Sequence, residues 1–164
     1  MIASREREKP RRLKPLLPVK HLQAMPNFSK SSQKKLETAH QDLQALFQTV
    51  IKFWDCTIIY GHRTVEEQQK LYAQGRTKPG KIVTYVDGVN RKSDHNYMPS
   101  RAVDVMPYFK EDPHIRWDDR ERTREFGWFV LGVARMLKEY GAIENDIKWG
   151  GTWKNFVDLP HYYI

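Results

Sequence analysis

Two histidines and two aspartates, distant in the chain, carry the side chains that a hydrolytic metal centre needs. His95 and Asp104 bound the stretch His95-Asn96-Tyr97-Met98-Pro99-Ser100-Arg101-Ala102-Val103-Asp104, and His161 closes Asp158-Leu159-Pro160-His161 near the C-terminus. Two imidazoles and one carboxylate, with a fourth position open to water, form the ligand set of a catalytic zinc. The same donor mix favours zinc over harder divalent ions. Zinc lowers the pKa of bound water to about 7, yet the chemistry still needs a base within hydrogen-bond reach. Asp158, three residues before the last histidine, is available for that role. Arg63 is available to meet negative charge on a substrate. A lone histidine is usually structural, so His21, His62 and His114 are expected at the surface or in the core, and His40 on the buried stripe of a helix.

These residues need a scaffold. A chain of 164 residues fits one domain with a real core. Its 40% hydrophobic content and five Trp predict a folded globule. The single cysteine, Cys56, excludes a disulfide framework and a Cys-rich zinc site. Lying among Phe53, Trp54, Ile58 and Ile59, it reads as a buried small hydrophobe.

The net charge of +8 is confined to one end. Residues 1–35 hold ten Lys/Arg against two Glu, while the remainder holds eighteen of each sign. A basic arm favours an anionic partner: nucleic acid, an anionic membrane or an anionic cell-wall polymer. The plain alternative is a solvated tail. No apolar run approaches the ~20 residues of a membrane span. Leu13 to Val19 is interrupted by Pro15 and Pro18 and is too short for a signal peptide's apolar region. Synthesis in the cytoplasm is therefore expected.

Pro10, Pro15, Pro18 and Pro26 predict an extended arm over residues 1–28, followed by a folded domain over 29–164. Leu36, His40, Leu43, Phe47 and Val50, spaced by three and four, predict one helix from about Ser31 to Lys52. Cys56 to Tyr60 reads as a strand. Thr64 with Glu67 forms a capping box for a helix that Gly75 stops. Residues 76–92 form a long loop of the kind that often carries function. Ala102 to Phe109 reads as a strand holding Asp104, and Arg122 to Tyr140 as an amphipathic helix stopped by Gly141. Ile147 to Trp149 and Phe156 to the C-terminus read as the last strands. The order predicts an α+β fold, a small, mostly antiparallel sheet with packed helices and the zinc cleft on the sheet.

Ser-x-His followed by Ala-x-Asp and a distal Asp-x-x-His resembles the D-Ala-D-Ala carboxypeptidase and L-alanyl-D-glutamate endopeptidase group of zinc peptidases. Phage endolysins and prophage cell-wall peptidases are the most similar branch. Gly61-His62-Arg63-Thr64, the run Tyr72-Ala73-Gln74-Gly75-Arg76-Thr77-Lys78-Pro79-Gly80-Lys81, and Trp149-Gly150-Gly151 extend the resemblance over residues 29–164. It implies His95, Asp104 and His161 as zinc ligands and Asp158 as the catalytic carboxylate. Arg63 would contact a substrate carboxylate or oxyanion, and Ser93 would position the substrate or the ligand shell. The implied reaction is hydrolysis of peptidoglycan stems, foremost at the L-Ala–D-Glu bond, by a monomer acting on the wall after release. The basic arm would attract anionic wall or outer-membrane groups, with no stable nucleic-acid partner. Alternatives are a D-Ala-D-Ala carboxypeptidase or dipeptidase of the same group and a basic nucleic-acid-binding protein.

Three positions depart from the family pattern. His95 and Asp104 are nine apart where seven, with an intervening Gly, is common. Thr152 and Tyr163 stand where acidic or amide residues are frequent. The last two bear on the surroundings of the site and on substrate choice, not on the ligand set.

Overall fold

A computed structural model describes residues 25–164. The helices are α1 (Lys30–Leu36), α2 (Gln41–Val50), α3 (Val65–Ala73) and α4 (Arg120–Glu139). The strands are β1 (Cys56–Tyr60), β2 (Ala102–Pro107), β3 (Lys148–Trp149) and β4 (His161–Tyr163), with 3-10 turns at Asp94–Asn96 and Gly150–Thr152. The strands form one antiparallel sheet in the order β1-β2-β4-β3, the α+β architecture expected. Among the described residues no helix is long and apolar enough to cross a membrane.

Strand alternation divides the central strands between a core and a cleft. Val103 and Val105 of β2 and Tyr162 of β4 enter the core with Leu43, Leu46, Phe47 and Val50 of α2 and Phe126 and Val130 of α4. The intervening Asp104, Met106 and His161 line the cleft. Tyr162 meets Phe47 edge-on at 5.2 Å and stacks against Trp149 at 6.3 Å. Trp149 fits because two neighbours lack side chains. A Cβ at Gly127 or Gly151 would stand 2.1 or 2.2 Å from its ring. Its Nε1–H donates to Leu159 O at 2.7 Å, so the core tryptophan also holds the turn that carries Asp158.

The expected helix over 31–52 is two helices. At the break, Ser100 N–H donates to Thr38 O and His40 N–H to Ser100 O, both at 2.8 Å. Residues 38–40 thereby bond to the turn between His95 and Asp104. His40 leaves the buried stripe and caps α2, its Nδ1 accepting Asp42 N–H at 3.2 Å. Periodicity carried through the break because α1 and α2 bury residues in the same core. The expected strand from Phe156 shrinks to His161–Tyr163, because Asp158 to His161 closes a turn, His161 N–H to Asp158 O at 3.4 Å. Ile147 lies outside β3, Tyr108 and Phe109 outside β2, and α4 begins two residues early behind the Asp119 cap. The Thr64–Glu67 capping box forms as read. Cys56 is buried, and burial beside Asp55 pushes its thiol up. The arm lies outside the described residues except at its end, where Phe28 packs against the core.

Asp42 ties α2 to the chain before β3. Its Oδ2 accepts N–H from Glu144 at 3.1 Å and from the backbone and side chain of Asn145, both at 2.8 Å. Burial alone would raise the pKa of this carboxyl, but the Asn145 and Glu144 bonds outweigh it and the value is lowered. Stability from a lowered folded pKa is complete above the unfolded value of about 3.9 and is lost as pH falls through the folded one. Asp42→Ala should therefore cost about 1–3 kcal/mol at neutral pH, the penalty of orphaned buried donors. The difference from wild type should shrink in acid, and thermal melts across the acid range check both effects. An unchanged melting temperature at neutral pH would remove Asp42 from this role.

Candidate metal centre and its cleft

His95 is held in place before any metal is considered. Its 3-10 turn is closed by a reciprocal capping box: Ser93 Oγ accepts His95 N–H at 3.3 Å, and Asn96 Oδ1 accepts Ser93 N–H at 2.9 Å. The turn is strapped to residues 61–63, with Arg63 N–H donating to His95 O at 2.9 Å and Asn96 Nδ2 to Arg63 O at 2.8 Å. His95 Nδ1 lies 2.7 Å from Gly61 O. A carbonyl only accepts, so Nδ1 carries the proton and the neutral ring presents a bare Nε2 lone pair. Gly61 has to be glycine here, since a Cβ would stand 2.1 Å from Lys35 O.

That lone pair meets two further donors. Asp104 Oδ1 lies 3.3 Å from His95 Nε2 and 3.1 Å from His161 Nδ1, and the two nitrogens are 3.3 Å apart. One ligand atom from each residue falls within 4.8 Å of the others. Cross-strand pairing makes this possible, since Asp104 and His161 are directly opposed in the β2–β4 ladder. Burial alone would raise the pKa of the Asp104 carboxyl, but the His95 and His161 imidazoles hold it well below the usual carboxylate range. Burial opposes a charge on His161, and hydrogen bonding to Asp104 raises its pKa. Two imidazole nitrogens and a carboxylate oxygen, converging with one tautomer already set by a carbonyl, fit a divalent zinc-type ion.

Asp158 stands beside this cluster in the turn before β4. Its N–H donates to Gly150 O at 3.1 Å. A Cβ at Gly150 would come within 2.6 Å of Asp158 O and 3.2 Å of His161 Cβ, so both residues close over a bare glycine. Burial, and then the negative charge of Asp104, push the Asp158 carboxyl up to about 6.

Arg63 is buried behind Asp104. Its Nη2 donates to Asp104 Oδ2 at 3.1 Å and its Nη1 to Gln68 Oε1 at 2.9 Å, and the guanidinium lies over the Tyr60 ring. Only Nε lacks a partner among the described residues. Gln68 carries the network outward, donating to Thr84 Oγ1 at 3.0 Å and Val86 O at 2.8 Å in the long loop. Ser93 lines the cleft as well as capping the His95 turn.

The cluster forms the floor of a cleft of about 400 Å³. Leu71, Ile82, Val83, Met106, Trp117, Arg120 and Phe156 line it above that floor. Tyr85 packs edge-on against Phe156 at 5.0 Å, which seats the loop beside the Asp158 segment. Sequence reading named Gly61, Gln68 and Gly150 only within motifs, without a role in the site, and did not single out Trp117 or Arg120. Gln68 reads as one more polar helix residue until its burial is seen, and the two glycines serve contacts that spacing does not reveal. His21 is outside the described residues. Of the others set aside, His40 caps a helix, while His114 lies exposed over Tyr108.

Fold and cluster together define a class, an α+β protein with a two-histidine, one-aspartate group that could hold a metal ion at the floor of a cleft. The family model for phage L-alanyl-D-glutamate peptidase matches residues 25–162, and the chain belongs to that family. Peptidoglycan L-alanyl-D-glutamate endopeptidase CwlK of Bacillus subtilis is 41% identical over 110 residues, covering 65% of this chain and 59% of CwlK. The chain thus matches under two thirds of that relative's length. The solved structure of Serratia marcescens L-Ala D-Glu endopeptidase ChiX shares the fold, with a TM-score of 0.58 at 19% identity over 86% of this chain and 91% of ChiX.

The Gln68 bridge generates a test. Gln68→Leu keeps the volume but leaves Arg63 Nη1 and Val86 O without their buried partner. A loss of about 1–3 kcal/mol is expected, together with faster amide exchange across residues 82–88. Hydrogen exchange that is unchanged in that loop would show that its other contacts, Arg76 Nη2 to Thr84 O at 3.0 Å and Tyr85 against Phe156, hold it without Gln68.

Proposed function

We propose that the chain is a zinc peptidase that hydrolyses the L-Ala–D-Glu bond of peptidoglycan stems. One observation carries the reading: a partly buried carboxylate of raised pKa, Asp158, sits beside three converging metal donors on the floor of an open cleft. Family membership and the activities in the names of CwlK and ChiX support the choice of bond.

His95, Asp104 and His161 would hold the zinc. When bound, zinc supplies Lewis acidity for the scissile carbonyl and acidifies water. Asp158 accepts the proton of the attacking water and returns it to the leaving amine, a role suited to a carboxylate less acidic than usual. Arg63 holds Asp104 in its ligand orientation through Nη2 and supplies positive charge at the cleft floor. Ser93 fixes the turn that aims His95. The apolar lining from Leu71, Ile82 and Val83 excludes water from bound peptide. The rival within the family's wider group, a D-Ala-D-Ala carboxypeptidase, frees D-Ala instead of new D-Glu amino termini. End-group analysis of digested wall therefore discriminates the two.

Zinc content and turnover should separate in two variants. His95→Ala is expected to lose both, because one of three ligands is gone. Asp158→Asn is expected to keep the fold and the zinc but lose roughly 10²–10⁴-fold in rate, the usual worth of general acid–base help. Asn caps a turn as well as Asp but cannot take a proton. Full turnover in Asp158→Asn would leave that residue only a turn-forming role.

The basic arm adds attraction to anionic wall or outer-membrane groups in this reading, with the chain acting as a monomer. Seven of the ten Lys/Arg in residues 1–35 precede residue 25. Deleting residues 1–24 should leave cleavage of soluble stem peptides unchanged while weakening wall binding and flattening its salt dependence, since screening acts on exposed charge. Equal salt dependence in the full and shortened chains would overturn this role.

A further inference from the structure

The charged side chains that line the cleft are not all of one kind. Arg63, His95, Asp104, Asp158 and His161 belong to the cluster on its floor, engaged with or coupled to one another. Arg120 lines the same cleft and stands apart. It is exposed, and among the described residues no ion pair or side-chain hydrogen bond engages its guanidinium. Its neighbour Asp119 is occupied as the helix cap, accepting Arg122 N–H at 3.1 Å. Arg120 is also the first residue of α4, where the helix macrodipole disfavours a cation. Local helix electrostatics therefore do not account for it. Trp117, three residues earlier in the chain, and Met106 line the same cleft and add apolar surface to it.

The two halves of the scissile unit differ in charge. An alanyl residue offers only a methyl group. A glutamyl residue has two carboxyl groups and uses one to continue the chain. The other remains free, as a carboxylate or as its primary amide. Only the glutamyl side, which leaves as the amine, therefore offers an anion next to the bond. Both terminal nitrogens of Arg63 are committed to Asp104 and Gln68. Arg120 is the cation in the lining whose whole donor fork is free to pair with a carboxylate.

We propose that Arg120 binds the free carboxylate of the D-glutamyl residue, making it the specificity-determining residue on the leaving-amine side of the cleft and setting the preference for glutamate over its amide. This inference rests on the endopeptidase reading above. The part of the cleft at Arg120 then takes the glutamyl part of the stem.

The test uses the full chain, loaded with zinc, and two soluble stem peptides that differ only in the D-glutamyl side group, carboxylate or carboxamide. Wild type should prefer the carboxylate. Arg120→Ala should raise KM for that peptide by about 10–100-fold, the worth of a charge-assisted bidentate contact, with kcat nearly unchanged. It should leave the carboxamide peptide unaffected, and Arg120→Lys should fall between. Because Arg120 is exposed, the melting temperature should not fall in either variant. Equal losses on both peptides, or no loss on either, would overturn the assignment while leaving the endopeptidase reading intact. Wild type that frees D-Ala, or no new termini, from both peptides would overturn the endopeptidase reading and this inference with it.

Discussion

The direct opposition of Asp104 and His161 across the β2–β4 pair is the constraint on which the rest of the site depends. Side chains alternate along a strand, so a slip of β4 by one residue would turn His161 into the core and Tyr162 out to the cleft, away from Asp104. Tyr162 and Trp149 forbid the slip. Each buries on the order of 150–250 Å² of aromatic surface, worth about 4–6 kcal/mol at the usual area coefficient as an upper bound. The hydrophobic core thus acts on the chemistry indirectly, by fixing the register that sets a carboxylate against an imidazole.

Electrostatics act on top of that register. A buried carboxylate is costly unless its partners surround it, and Asp104 has an imidazole on either side of Oδ1 and a guanidinium on Oδ2. The guanidinium is anchored in turn by Gln68, and Gln68 holds the loop that lines the cleft. One continuous polar path runs from the candidate ligands to the substrate-facing wall. The same surroundings treat the two aspartates oppositely. Asp104 is held strongly acidic by the histidines, while Asp158, buried near that negative charge, is pushed toward neutrality. Two carboxylates of unequal basicity thus stand in one cleft.

Close backbone approaches complete the geometry. Gly61 lets the strand end touch α1, so that its carbonyl can fix the His95 tautomer. Gly150 lets Asp158 and His161 fold over one point, and Gly127 with Gly151 makes the slot for the Trp149 ring. These are close contacts with distant atoms, which a turn signal such as Gly150-Gly151 does not reveal.

Residue chemistry and spacing by themselves singled out His95, Asp104 and His161, which the fold brings within 4.8 Å of one another, the adjacent Asp158, and the α+β order of elements. Those features are local: ligand types are chosen by metal chemistry, capping boxes by orphan N–H groups, and strands by alternation. The break at residues 37–40, the cap made by His40 and the short final strand were decided by tertiary structure. At the break a distant backbone group, Ser100, took bonds that local periodicity assigned to a helix, and at the final strand the turn from Asp158 to His161 took the place of pairing. The burial of Gln68, the engagement of Arg63 and the free guanidinium of Arg120 were likewise settled only by packing. A polar or basic side chain reads the same in the chain whether it faces water, a buried carboxylate or a cleft, and only its neighbours in space tell these apart.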